Sequence, residues 1–126
     1  MVLATSIELI KNLVDLEYDG RKFDLHNEYD CERVIFENES LLFLLKKIDG
    51  NESLKLTFYE IYFTSFEFFN VTKVQNLTID SMYRGRAIVG DKLMEQSEDG
   101  KGFFYIEFYE GQKIEFWSKG LAIEIK

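Results

Sequence analysis

The chain has 126 residues, 46% of them apolar and 16% aromatic, enough for one folded domain whose core needs no disulfide or metal staple. Its 15 Lys and Arg against 23 Asp and Glu leave a net charge of −8. That balance argues against nucleic acid and against an anionic membrane surface, since both demand an excess of cations, and it permits a basic protein partner or plain solubility.

The single cysteine, Cys31, has no partner for an internal disulfide, which fits a reducing compartment. The opening MVLATSIELIKN lacks a basic start and carries Glu8 inside its apolar stretch, so it makes a poor export signal. No run approaches the ~20 apolar residues of a membrane-spanning helix. A cytoplasmic location is therefore expected. The sequons at Asn38, Asn51, Asn70 and Asn76 then read as polar turn and strand residues.

In chain order, Thr5-Ser6-Ile7-Glu8 matches a capping box, and Ile7, Ile10, Leu13 and Val14 follow at helical spacing. The spacing predicts one short N-terminal helix over residues 6–15. Beyond it the punctuation is that of hairpins. Asp19-Gly20, Asp49-Gly50 and Asp99-Gly100 suit tight turns, and Gly90-Asp91, Gly111-Gln112 and Lys119-Gly120 are weaker signals of the same kind.

Asp24, His26, Glu28 and Asp30 alternate, with Cys31 adjacent, and in a strand they would line one side as metal ligands. The stretch has neither the second His or CxxC of a zinc site nor the Gly and terminal Glu of a calcium loop. A polar loop entering the first long strand explains it better, and neither metal nor cofactor is expected. Cys31 and His26 lack any oxyanion motif that would make them nucleophile and base. Glu107 and Glu115 share one environment, whereas paired acid–base carboxylates need unlike ones. A non-catalytic protein is the expectation.

The runs ERVIFE, LLFLLKKI, SLKLTFYEIYFTSF, VQNLTIDSMY and RAIV read as strands. LLFLLKKI (41–48) also fits a helix face. Strand is preferred because its neighbours are strands at hairpin spacing. In SLKLTFYEIYF the apolar phase shifts, which suggests a bulge near Tyr59-Glu60. Residues 86–102 read as one strand followed by a loop. In DSMYRGR, Asp80, Tyr83, Arg84 and Arg86 form the only concentrated basic spot, and Tyr83, Arg84 and Arg86 are a candidate anion or carboxylate clamp. Surface arginines around a Gly85 turn are the simpler account.

The end of the chain, FFYIEFYEGQKIEFWSKGLAIEIK, reads as three strands. A Lys119-Gly120 hairpin would place Phe116 opposite Ile123 and Ile114 opposite Ile125. A loop at Glu110-Gly111-Gln112 would set Phe108 opposite Ile114. The other face would then carry Tyr105, Trp117 and Ala122 in one row, Glu107, Glu115 and Glu124 in the next, and Tyr109, Lys113 and Lys126 in a third. Either this is a solvated face whose lysines offset the glutamates, or it is a docking face. In the second case Tyr105, Glu107, Tyr109, Glu115, Trp117 and Glu124 would be partner-binding, with aromatic anchors and glutamates for an incoming Arg or Lys.

The expected fold is mainly β: an antiparallel meander rolled or folded into a two-layer sheet or sandwich, with one short N-terminal helix. The segments SMYRGR and SEDGKGFFYIEFYEGQKIEFWSKGL resemble those of small acidic immunity-type proteins of bacterial polymorphic and contact-dependent toxin systems. The resemblance is one of aromatic–acidic composition and hairpin spacing over about residues 30–126, and it carries over no site residue. It implies a cytoplasmic binder that neutralises a basic toxin. The alternative is a β-domain holding a small molecule or carbohydrate against aromatics such as Phe68, Phe69, Tyr105 and Trp117.

Overall fold

Period-two alternation organises most of the longer strands. The computed structural model describes residues 1–68, 77–89, 91–94 and 99–126. Within them lie β1 (Val2–Leu3), β2 (Lys11–Asn12), β3 (Asp15–Tyr18), β4 (Arg21–Asp24), β5 (Tyr29–Glu37), β6 (Ser40–Lys47) and β7 (Ser53–Tyr59). They are followed by β8 (Tyr62–Glu67), β9 (Ile79–Gly85), β10 (Ala87–Val89), β11 (Lys92–Met94), β12 (Gly102–Phe108), β13 (Lys113–Ser118) and β14 (Gly120–Ile125). In β12 the even residues Phe104, Ile106 and Phe108 are buried at 0–1% exposure while Tyr105 and Glu107 are half-buried, the signature of a sheet with one face on a core.

Two five-stranded antiparallel sheets result, here called A and B. Sheet A has the order β1-β14-β7-β6-β5 and sheet B the order β2-β9-β12-β13-β8; β3–β4 and β10–β11 are separate hairpins. The inner faces of A and B form one apolar cluster. Phe58 on β7 meets Phe104 on β12 and Phe116 on β13 edge-on, with centroids 5.0 and 4.9 Å apart, and Phe43 on β6 lies 6.4 Å from Phe108. The mainly-β, two-layer antiparallel architecture is thus as the alternation predicts. The ambiguous run 41–48 is strand β6. Among the described residues no helix is long and apolar enough to cross a membrane.

The N-terminal helix does not form. Ala4–Ser6 make a single 3-10 turn, and Ser6 Oγ donates back to the Leu3 carbonyl at 2.6 Å instead of capping a helix. Ile10 has φ 61°, where a β-branched residue cannot continue a right-handed helix. A ten-residue helix, three of its residues β-branched, is marginal by itself. The backbone pairs with β9 instead, Leu13 N–H donating to the Met82 carbonyl at 2.7 Å.

The C-terminal meander is also corrected. β13 belongs to sheet B and β14 to sheet A, where Leu121 faces Phe58 and Ile123 faces Leu56. Neither Lys119 nor Gly120 has a positive φ, so the tight hairpin turn is not made. Ser118 fixes the crossing, its buried hydroxyl donating to the Tyr59 carbonyl at 2.8 Å while Lys119 N–H donates to the same carbonyl at 2.9 Å. The phase shift at Tyr59-Glu60 is a second crossing, not a bulge: Glu60 has φ 50°, β7 lies in sheet A and β8 in sheet B. Between β12 and β13 the three-residue loop is Tyr109-Glu110-Gly111, one position earlier than expected, with Gly111 at φ 102°. Of residues 86–102, read as one strand and a loop, the described part holds two paired strands, β10 and β11, and residues 90 and 95–98 lie outside the described residues.

Candidate functional site

The outward residues of three adjacent strands of sheet B stand in rows. Gly85, Phe103 and Trp117 form one row, Tyr83, Tyr105 and Glu115 the next, and Ser81, Glu107 and Lys113 the third. Because β12 lies between β9 and β13, the DSMYRGR segment and the C-terminal aromatics, far apart in sequence, share one face. They enclose an open depression of about 370 Å³ lined by Tyr83, Gly85, Arg86, Phe103, Tyr105 and Glu115, with Ile10 at its border. A side chain in place of Gly85's hydrogen would meet no atom within 4 Å, so that glycine leaves the surface open.

The floor is apolar. Phe103 and Trp117 pack edge-on at 5.6 Å, are 6% and 5% exposed, and carry Tyr105 against them. Trp117 therefore serves as a buried support instead of a protruding anchor. The Tyr105 hydroxyl donates to Glu107, two residues along the same strand. Burial first, and that bond second, hold the Tyr105 hydroxyl above the ordinary phenol range. Glu107 stands opposite Lys113, which itself lies 3.7 Å from Glu67. Among the described residues the Glu115 carboxylate has no hydrogen-bond or ion-pair partner; its backbone carbonyl accepts the Thr64 hydroxyl at 3.1 Å.

The expected row of glutamates is absent. Tyr105, not Glu107, faces Glu115, and Glu124 lies in sheet A opposite Lys55, with their charged groups 4.0 Å apart. Tyr109 sits in the β12–β13 loop, 74% exposed. The one-residue displacement of that loop avoids stacking like charges, which would cost roughly 0.2–1 kcal/mol per pair. Of the sequence-predicted binding residues, Tyr105, Glu107 and Glu115 stay together, above Trp117.

The clamp is split by the same alternation. Tyr83 points outward, whereas Arg84 turns inward and is 3% exposed, its Nε donating to the Ala4 carbonyl at 3.1 Å and its Nη1 to the Gly85 carbonyl at 3.2 Å. Desolvation lowers its pKa from the usual guanidinium value. Arg86 borders the depression, so the two arginines do not act on one anion. Phe103 was legible from its spacing to Tyr105 on one strand; Ile10 was not, because its run reads as helix.

The acidic run around His26 is occupied by a turn. Asp24 accepts from the His26 and Asn27 N–H groups at 3.1 and 2.9 Å and from Asn27 Nδ2 at 2.8 Å, and these bonds, the side-chain one first, hold its pKa below the usual carboxylate value. His26 Nδ1 lies 2.9 Å from the Ile79 carbonyl oxygen. Phe68 packs into the core against Phe108 at 5.8 Å, and Phe69 lies outside the described residues. Cys31 is buried and its thiol is pushed up to about 12 by that burial. At pH 8 the thiol is therefore protonated as well as buried, so the folded protein should resist a thiol-specific reagent and react rapidly once denatured. Fast labelling of the folded protein would contradict this burial.

No protein-family model matches the chain, and neither a curated protein nor a solved structure matches it.

Proposed function

We propose that the protein acts by binding, with the outer face of sheet B engaging a basic protein partner, and that the partner is a toxin neutralised in an immunity-type pairing. The observation that carries this reading is the gathering of Tyr83, Phe103, Tyr105 and Glu115 around one open depression, on a molecule of net charge −8. The charge accelerates encounter with a cationic surface, and the aromatics supply area that is desolvated on contact. Among the described residues the inner faces of the two sheets pack on each other through Phe, Leu and Ile side chains, which supports an open docking face over an enclosed ligand cavity. The aromatic lining also keeps a carbohydrate or small-molecule reading in play, and saccharide titrations separate it from the first.

The test is genetic and then kinetic. The product of the neighbouring upstream gene is expressed with and without this chain. Rescue of growth is expected, and failure of a toxic product to be relieved would overturn the immunity reading. Glu115→Lys should lower the association rate by about tenfold and flatten its salt dependence, as expected for a charge that steers encounter. Undiminished protection by both Glu115→Lys and Tyr105→Ala would remove this face from the interface. Cys31→Ala and His26→Ala should each leave protection intact, and its loss in either variant, still folded by circular dichroism, would count against a non-catalytic role.

A further inference from the structure

We infer that the depression receives a single arginine side chain of the partner, its guanidinium paired with Glu115 and lying against the rings of Tyr83, Phe103 and Tyr105. The inference rests on the reading of sheet B's outer face as the binding surface and specifies what that face recognises.

Glu115 is the acid available for this role. Glu107 already accepts the Tyr105 hydroxyl and faces Lys113, whereas the half-buried Glu115 carboxylate has no hydrogen-bond or ion-pair partner among the described residues. A carboxylate flanked by rings attracts a cation more strongly than one in open water, because the rings exclude solvent and their faces are themselves negative. Arg86 follows β9 and has an interaction of its own, while Glu115 lies on β13 with β12 between them. The depression is therefore polar across its width, and an incoming cation is directed to the β13 side.

The protein pairs an arginine with a ring and a carboxylate elsewhere from its own residues. Arg21 lies 4.6 Å from the centroid of the Phe23 ring and donates to Glu52 at 2.6 Å, and Glu52 also accepts the Tyr29 hydroxyl at 2.6 Å. Aromatic faces and a half-buried carboxylate recur around Glu115, where the cation would come from the partner; the Tyr105 hydroxyl, unlike that of Tyr29, goes to a neighbouring carboxylate, Glu107. A guanidinium suits this geometry better than an ammonium. It is planar, stacks on rings, and offers paired N–H groups to a carboxylate.

The test uses the full ¹⁵N-labelled chain and the capped tripeptides acetyl-Gly-Arg-Gly-amide, its lysine counterpart and its neutral citrulline counterpart, followed by amide shifts. The arginine peptide should perturb Tyr83, Phe103, Tyr105 and Glu115 saturably, and bind about threefold tighter than lysine and about tenfold tighter than citrulline. Glu115→Gln should weaken it about tenfold, and Tyr83→Leu about threefold, with the amide spectrum of each variant reporting that it stays folded. Equal binding of arginine and citrulline, or no effect of Glu115→Gln, overturns the inference. Shifts on this face that lysine reproduces in full overturn arginine selection and leave the binding face standing. Shifts confined to other surfaces overturn the inference alone, because protection by Glu115→Lys judges the face independently.

Discussion

Phe58→Ala should lower the free energy of unfolding by about 3–5 kcal/mol, measured by urea denaturation, with Phe58→Leu falling well short of that. Phe58 is 0% exposed at the centre of sheet A, and its ring meets Phe43 at 5.9 Å within its own sheet and Phe104 and Phe116 in the opposite one. Truncation leaves a cavity at the point where the layers touch. Those neighbours are held by strands on both sides and cannot collapse into it. The loss is therefore the transfer free energy of the ring plus the unfilled volume. Phe36, also aromatic but 55% exposed at the edge where β5 meets β8, should cost less than about 1 kcal/mol when changed to Ala. Equal effects at the two positions would mean that the sheets are not held together through Phe58. The effect reaches the site, since the residues behind Tyr105 on β12 are Phe104 and Ile106, whose inward packing sets where the outward face lies.

What could be read in advance divides along the range of the interaction. Strand identity is local: Leu54, Leu56 and Phe58 alternate, and the alternation survives folding because one face must be buried. Which strand pairs with which is not local. The apolar residues of β13 match those of β14 in a hairpin as well as they match β12 and β8. The hydrogen bonds of Ser118 and the absence of a positive φ at Lys119 and Gly120 decide for a crossing. No sequence pattern announces that choice. The turn at Asn38-Glu39, with φ of 50° and 59°, lacks the glycine that marks such turns elsewhere in the chain. At the site, the outward positions of β12 and β13 were legible as residues but not as rows, because a one-residue loop displacement exchanges every neighbour. The meeting of Tyr83 with Tyr105 depends on a pairing between segments about twenty residues apart in the chain, with the paired strands β10 and β11 between them, and turn signals alone do not say which strands meet across such a stretch.

Gly102→Ala should cost about 1–3 kcal/mol, and most of that cost should vanish in an Arg84→Ala background. A Cβ at Gly102 would come within 2.8 Å of the Arg84 Cζ atom and 3.0 Å of the Ala4 Cβ, so the guanidinium must move. It has little freedom to do so. Arg84 is buried with Nε on the Ala4 carbonyl and Nη1 on the Gly85 carbonyl, and displacement strips charge-assisted hydrogen bonds from a desolvated cation. Arg84→Ala alone should also destabilise, by about 2–4 kcal/mol, since it leaves a void and removes one of the two donors to the Ala4 carbonyl, the other being the Ile7 N–H. Removing the guanidinium makes room for the new methyl group, so the two losses should not add. A double-mutant cycle by urea denaturation is expected to give a coupling of at least about 1 kcal/mol. Simple additivity would show that the glycine serves some other contact. The same cycle bears on the binding face through Gly85, whose carbonyl Arg84 holds from beneath and whose missing side chain opens the depression above. Arg84→Ala should therefore alter the amide shifts of Tyr83 and Phe103 even in the absence of any partner, and unchanged shifts there would show that the inner arginine does not support the outer face.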